Sequence, residues 1–297
     1  MTQTRHAADV LQDAIDRIGS AVCVGLDPVL EQAPEEVRAQ HHDPVEAIGA
    51  FCRGVLHAVA GLVPAVKVQA ACFERHGGRG VLLMEQICEL ASSLGLVVVW
   101  DAKRGDIGIS AAHYAAAATR MRATFVTVSG YLGPSGVTPF LEAGLGVFVL
   151  VRTSNPDSDA VQSHVLADGR SVGELLADMT AGLGASRLGS VGLSSVGAVV
   201  GATKAADAAA LRRRMPDQIF LVPGYGAQGG TAADIQAMLR PDGRGVLVTS
   251  SRAIIYPPRV AGQSWEDAVR AAASRLAGEI AAATRRGPAS PPGGGAS

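Results

Sequence analysis

Short apolar runs alternate with longer segments of helical spacing along most of the chain. Val10, Leu11, Ala14, Ile15 and Ile18 recur at helical intervals and predict an opening helix. AVCVGLD predicts a strand ending at Asp27, and Pro28 and Pro34 mark the loop after it. Asp43-Pro44 is a start signal for a helix from Val45 to Gly61. AVKVQ is a second strand, carrying Lys67, and a helix from about Gly78 to Leu94 stops at Gly95. VVVW opens a third strand. ATFVTVS, GVFVLVRTS, SVGAVVGAT, QIFLVPGYG and GVLVTSSR supply the rest. Between them, helices are predicted over Ala111 to Met121 (capped by Ser110), Pro134 to Ala143, Val172 to Leu183, Ala205 to Arg214 and Thr231 to Leu239, with a last one from Ser264 to Thr284. A long polar loop, Asn155 to Gly169, follows the fifth strand.

These strands are short and almost wholly apolar, as parallel strands covered on both faces are. Eight strands alternating with helices match an α/β fold of the (β/α)8 TIM-barrel type, in number and in length. A doubly wound open sheet shares the alternation and stands as the alternative. No break in composition divides residues 1–285, so a single barrel domain with an N-terminal helix is expected. Residues 286–297, RGPASPPGGGAS, read as a disordered tail.

Composition narrows the function. The 297 residues are 48% hydrophobic and 18% charged, with a net charge of -1. That supplies a sizeable core and no basic bias, so no nucleic-acid partner is expected. No apolar run approaches the ~18 residues of a membrane span. Arg5, Asp9, Asp13, Asp16 and Arg17 interrupt any signal-peptide core. Cys23, Cys52, Cys72 and Cys88 form no CxxC pair and read as free thiols of a cytoplasmic protein. The histidines show no metal-ligand spacing.

The chemistry concentrates in VVVWDAKRGDIGIS, Val97 to Ser110. The apolar strand delivers Asp101, Lys103, Arg104 and Asp106 in close succession, with Val99, Asp101 and Lys103 on one face and Arg104 on the other. In a barrel, the C-terminal ends of the strands share one mouth, where sites are built. Asp27, Lys67, Asp101, Lys103, Ser154, Gln228 and Arg252 would all lie there. The acids and lysines can satisfy one another as an alternating array, either as a reactive site or as a salt-bridge network closing the barrel top. PGYGAQGG, Pro223 to Gly230, fits GxGxxG, but in the seventh unit rather than the first, so it is weak as a dinucleotide fingerprint. Its glycines before a helix suit a phosphate, with Arg252 supplying a fork. A tight turn beside a surface arginine is the plain alternative.

DAKRGDIGIS resembles the signature D-x-K-x-x-D-I-x-x-T of the orotidine 5'-phosphate decarboxylase family, and DAKRGDIG with the later TSNP resembles its bacterial type 2 branch. The resemblance implies cofactor-free conversion of orotidine 5'-phosphate to UMP and CO2 in pyrimidine biosynthesis, by a homodimer with shared sites. It also implies roles: Lys103 as proton donor to the pyrimidine carbon, Asp101 beside the leaving carboxylate, Lys67 in the same array, and Asp106 lent to the partner subunit. Asp27 falls on a ribose contact, Gln228 and Arg252 on phosphate contacts, and Ser154 on the pyrimidine contact, with Thr153 and Asn155 as neighbouring alternatives. Ser110, counted with the substrate-binding residues, replaces the usual threonine and keeps its hydroxyl. Two rivals remain at this point: a metal-dependent sugar-phosphate decarboxylase or aldolase on a similar barrel, and a non-catalytic nucleotide-binding barrel.

Overall fold

The computed structural model describes residues 5–202, 205–226 and 229–285. Eight parallel strands form a closed barrel in sequence order. They are β1 Val22–Leu26, β2 Ala65–Gln69, β3 Val97–Arg104, β4 Phe125–Ser129, β5 Gly146–Arg152, β6 Val196–Val200, β7 Phe220–Val222 and β8 Val246–Ser250. Closure comes from β1 pairing with β8 through Val22↔Val248 and Cys23↔Thr249. The ring is the barrel, not the open sheet. Every β1, β6, β7 and β8 residue is buried, as strands with no wet face must be.

The core has two layers. Inside the barrel pack Cys23, Ala65, Val97, Val99, Phe125, Phe148, Leu221 and Leu247. Ala7, Ala8, Leu11 and Ala14 of the opening helix Ala7–Ile18 join that layer. The helix sits at the N-terminal end of the barrel: a Cβ built on Gly146, the first residue of β5, would lie 2.9 Å from the Ala7 Cβ. The second layer fills the space between the strands and the outer helices, with Phe51, Phe73, Phe140 and Trp100 among its large members.

Most predicted helices form. Asp43 caps Pro44–Val59 by accepting from Val45 N and Glu46 N at 2.9 and 3.1 Å. The helix after β3 differs. It spans Gly108–Arg120, with Ile107 at its N-cap and no side-chain cap. Ser110 therefore lies in the first turn and does not cap Ala111. The cause is local: Asp106 Oδ1 accepts from Ile107 N at 2.8 Å, so the chain turns earlier than the serine suggested. The loop after β5 is also less plain than its composition. It holds a 3-10 turn, Pro156–Ser158, and a short helix, Asp159–Gln162. Buried Arg152 gathers Ser158, Asp159 and Ser163 from it and Asp207 from beyond β6. The predicted disordered tail lies outside the described residues.

β7 has only three residues, and its flank is held by a side chain. Arg212, from the helix Ala205–Arg214, is 8% exposed and donates to the carbonyls of Met215, Gln218, Met238 and Gly245 at 2.7–2.8 Å. Its guanidinium stacks 3.7 Å above the Phe220 ring. Replacing it leaves several buried acceptors dry, each costing about 1–3 kcal/mol. Arg212→Leu is expected to lower stability by at least about 3 kcal/mol. Urea unfolding measures this directly, and a midpoint equal to the parent's would refute the role.

Candidate active site

Parallel register brings the charges of the first three strands to one level. Gly25 pairs with Lys67, and Gln69 pairs with Asp101. Asp27 lies just past β1. The Lys67 ammonium sits between two carboxylates, 3.0 Å from Asp27 Oδ1 and 3.0 Å from Asp101 Oδ2. Lys103 Nζ donates to Asp101 Oδ1 at 2.6 Å. Asp27 also accepts from the Ser251 hydroxyl beyond β8. Ser251 reaches it because residue 25 is glycine: a Cβ there would lie 1.9 Å from Ser251 Oγ.

Asp101 is held on every side. Oδ1 takes Lys103 Nζ and Thr127 Oγ1 (2.8 Å); Oδ2 takes Lys67 Nζ and, at 2.9 Å, the Gln69 amide turned with its nitrogen inward. A carboxylate has about four lone-pair sites, so Asp101 is saturated. Burial alone would raise its pKa, but the Lys67 and Lys103 charges outweigh burial and hold it at about 2. The same balance acts on Lys67: burial lowers its pKa, and Asp101 and Asp27 overcome that and raise it. Both groups stay charged at neutral pH.

Lys103 is the exposed member, with 48% of its side chain accessible against 8% for Asp101. Its backbone is left-handed, φ +46, a region that side-chain-bearing residues seldom occupy. The β3–β4 register shifts between Trp100 and Arg104. Lys103 N, within that irregularity, donates instead to Thr127 Oγ1 at 2.9 Å. Such outliers cluster at functional sites. Arg104 turns away, over the rings of Trp100 and Tyr114 and onto Glu74.

Above the array opens a cavity of about 620 Å3. Asp27, Lys67, Asp101, Lys103, Ser154 and Arg252 all line it, as do Thr153 and Asn155. Leu150, Val199, Leu221 and Pro223 supply an apolar wall. A salt-bridge network built only to close the barrel top would need no such space. Gly224 and Tyr225 of the glycine-rich segment reach the rim. Gln228 lies outside the described residues.

Asp106 and Ser110 do not line this cavity. They lie just beyond β3, on a surface where Ile107 and Ile109 are 56% and 75% exposed. Tyr131 and Leu132, in the loop beyond β4, are exposed as well. Thr127, Gln69 and Ser251 belong to the site without a sequence motif of their own. The available signal was faint: single polar residues at or just beyond the ends of apolar strands. Among the described residues, no group of three or more His, Cys, Asp or Glu side chains gathers to hold a metal, and no helix is long and apolar enough to cross a membrane.

Comparison with known proteins accords with this geometry. A sequence model of the family described as "Orotidine 5'-phosphate decarboxylase / HUMPS family" matches residues 20–262. The chain is 42% identical to orotidine 5'-phosphate decarboxylase of Rhodopirellula baltica, over 91% of this chain and 97% of that one. It is 39% identical to the enzyme of that name from Roseiflexus castenholzii, over 93% and 97%. The solved structure of Leishmania donovani OMP decarboxylase superposes with a TM-score of 0.76 at 32% identity, covering 94% of this chain and 98% of that one. By the family match and by this identity over nearly its whole length, the chain belongs to the orotidine 5'-phosphate decarboxylase / HUMPS family.

Proposed function

We propose that the protein converts orotidine 5'-phosphate to UMP and CO2, without a cofactor, in pyrimidine biosynthesis. The observation that carries this reading is the Asp27–Lys67–Asp101–Lys103 array beneath a nucleotide-sized cavity. Breaking the bond from the pyrimidine ring to its carboxylate leaves an electron pair on a ring carbon with no neighbouring carbonyl to receive it. Preorganised charge must stabilise that pair. The Lys103 ammonium reaches the cavity and can approach the carbanion, then transfer a proton to it. Asp101, ionised and fixed, meets the departing carboxylate as a like charge, and the contact is relieved when CO2 leaves.

The rest of the cavity supports a nucleotide. Arg252 stands at the rim beside the glycine-rich segment, suited to the 5'-phosphate, and Gln228 completes that set in this reading. Asp27 faces the ribose. Thr153 Oγ1 and Asn155 Oδ1 are tied together at 2.7 Å, and Gln162 Nε2 donates to Thr153 Oγ1 at 2.8 Å. That favours Ser154 as the pyrimidine contact. Remote phosphate binding then supplies energy that orients the reacting end.

Against the rival of a metal-dependent sugar-phosphate decarboxylase or aldolase stands the position of Lys67. A divalent cation needs carboxylates turned on it. In this chain an ammonium already fills the space between Asp27 and Asp101. Asp106 and Ser110 fit a shared site instead: they flank an exposed apolar patch, which a second copy would cover while receiving Asp106. The free cysteines fit a cytoplasmic protein.

The direct test is the ultraviolet change on adding orotidine 5'-phosphate, run with EDTA. Full activity in chelator is expected, and loss of activity in chelator would favour the metal-dependent rival. Lys103→Ala should lose at least about 10²–10⁴-fold in turnover, the share of a general acid alone, with its circular dichroism retained. Near-parental turnover would refute the assignment. Mixing inactive Lys103→Ala and Asp106→Ala proteins should restore activity, because one site of each mixed dimer then has both groups intact. Absence of recovery in dimers shown to have exchanged would place each site within one chain.

A further inference from the structure

We propose that Thr127 is the positioning residue that sets the Asp101–Lys103 pair for proton transfer, an inference that rests on the decarboxylase reading above. Thr127 is the middle residue of β4 and is 1% exposed on the cavity wall; its hydroxyl is engaged by its neighbours, and it acts through them. Its hydroxyl has one hydrogen to give and lone pairs to offer. The hydrogen goes to Asp101 Oδ1 at 2.8 Å. A lone pair receives Lys103 N at 2.9 Å. One oxygen thus joins the side chain of one reactive residue to the backbone of the other.

The need for that link comes from the irregularity in β3. Between Trp100 and Arg104 the ladder to β4 shifts register, and Lys103 takes its left-handed backbone there. An extended strand would carry Lys103 onward with its ladder bonds intact. The Thr127 hydroxyl takes the Lys103 N–H and gives the strained turn a fixed acceptor. The same oxygen steadies Asp101 Oδ1, the atom that holds Lys103 Nζ at 2.6 Å. A β-branched residue suits the task, because its χ1 is stiff. The consequence falls on orientation rather than on substrate affinity, since phosphate and ribose contacts lie elsewhere in the cavity.

Thr127→Val keeps shape and branching and removes both bonds. It should cut kcat by about 10²-fold, the scale of a misplacement of about 1 Å at a reacting pair, and leave KM little changed. Thr127→Ser, which retains the hydroxyl, should recover most of the loss. A valine variant with parental kcat would overturn the inference, and so would a serine variant as slow as the valine one. If Thr127→Val does not fold, Thr127→Ala against Thr127→Ser asks the same question with the same outcomes. An inactive parent protein would instead overturn the decarboxylase reading, so the two failures are distinct.

Discussion

Taking Lys67 and Asp101 out of water costs several kcal/mol for each charge unless each meets its opposite. The barrel meets that constraint by geometry. Parallel register aligns the ends of β1, β2 and β3, and one ammonium lands between two carboxylates. Lys67 and Asp101 are the buried members: removing Lys67 takes the ammonium from Asp27 and one of two from Asp101, so there stability and chemistry draw on the same contacts. The four donors on Asp101 also explain why its charge survives burial. On the proposed reading, a carboxylate that stays ionised beside the substrate's own carboxylate needs such an excess of donors.

Strain enters at the same place. β3 carries Asp101 and Lys103 through a register shift, and Lys103 leaves the extended region altogether. A regular strand would place Asp101 and Lys103 by simple alternation, about two residue rises apart. Here the ammonium folds back onto the carboxylate. Packing around the bend, with Arg104 on Trp100 and Tyr114, makes the distortion tolerable.

The barrel was legible in the chain because its strands are short, apolar and evenly spaced. So was the array, because charges at apolar strand ends are rare and need partners. The short helices Glu35–Gln40, Ala70–Glu74 and Arg252–Ile255 were not legible, since such lengths barely complete a helical period. The start of the helix after β3 was misplaced because a serine is a local signal, and Asp106 at the preceding turn prevailed over it. Thr127 and Gln69 stayed hidden for a different reason. Their importance lies in what faces them from the next strand, and strand register is not written in residue spacing. Asp106 and Ser110 were placed by resemblance, and a single chain leaves them outside the cavity.

The opening helix has a consequence for traffic through the barrel. Ala8 and Leu11 close the N-terminal end, and Cys23, Val99, Phe125 and Phe148 form a dry layer between them and the array. Water and buffer therefore meet Lys103 from the mouth alone. On the proposed reading, a proton given up by Lys103 is replaced from that side, and the nucleotide leaves by the same opening. A barrel stoppered at one end makes replenishment and exit share one route, so whatever covers the rim governs all of them together.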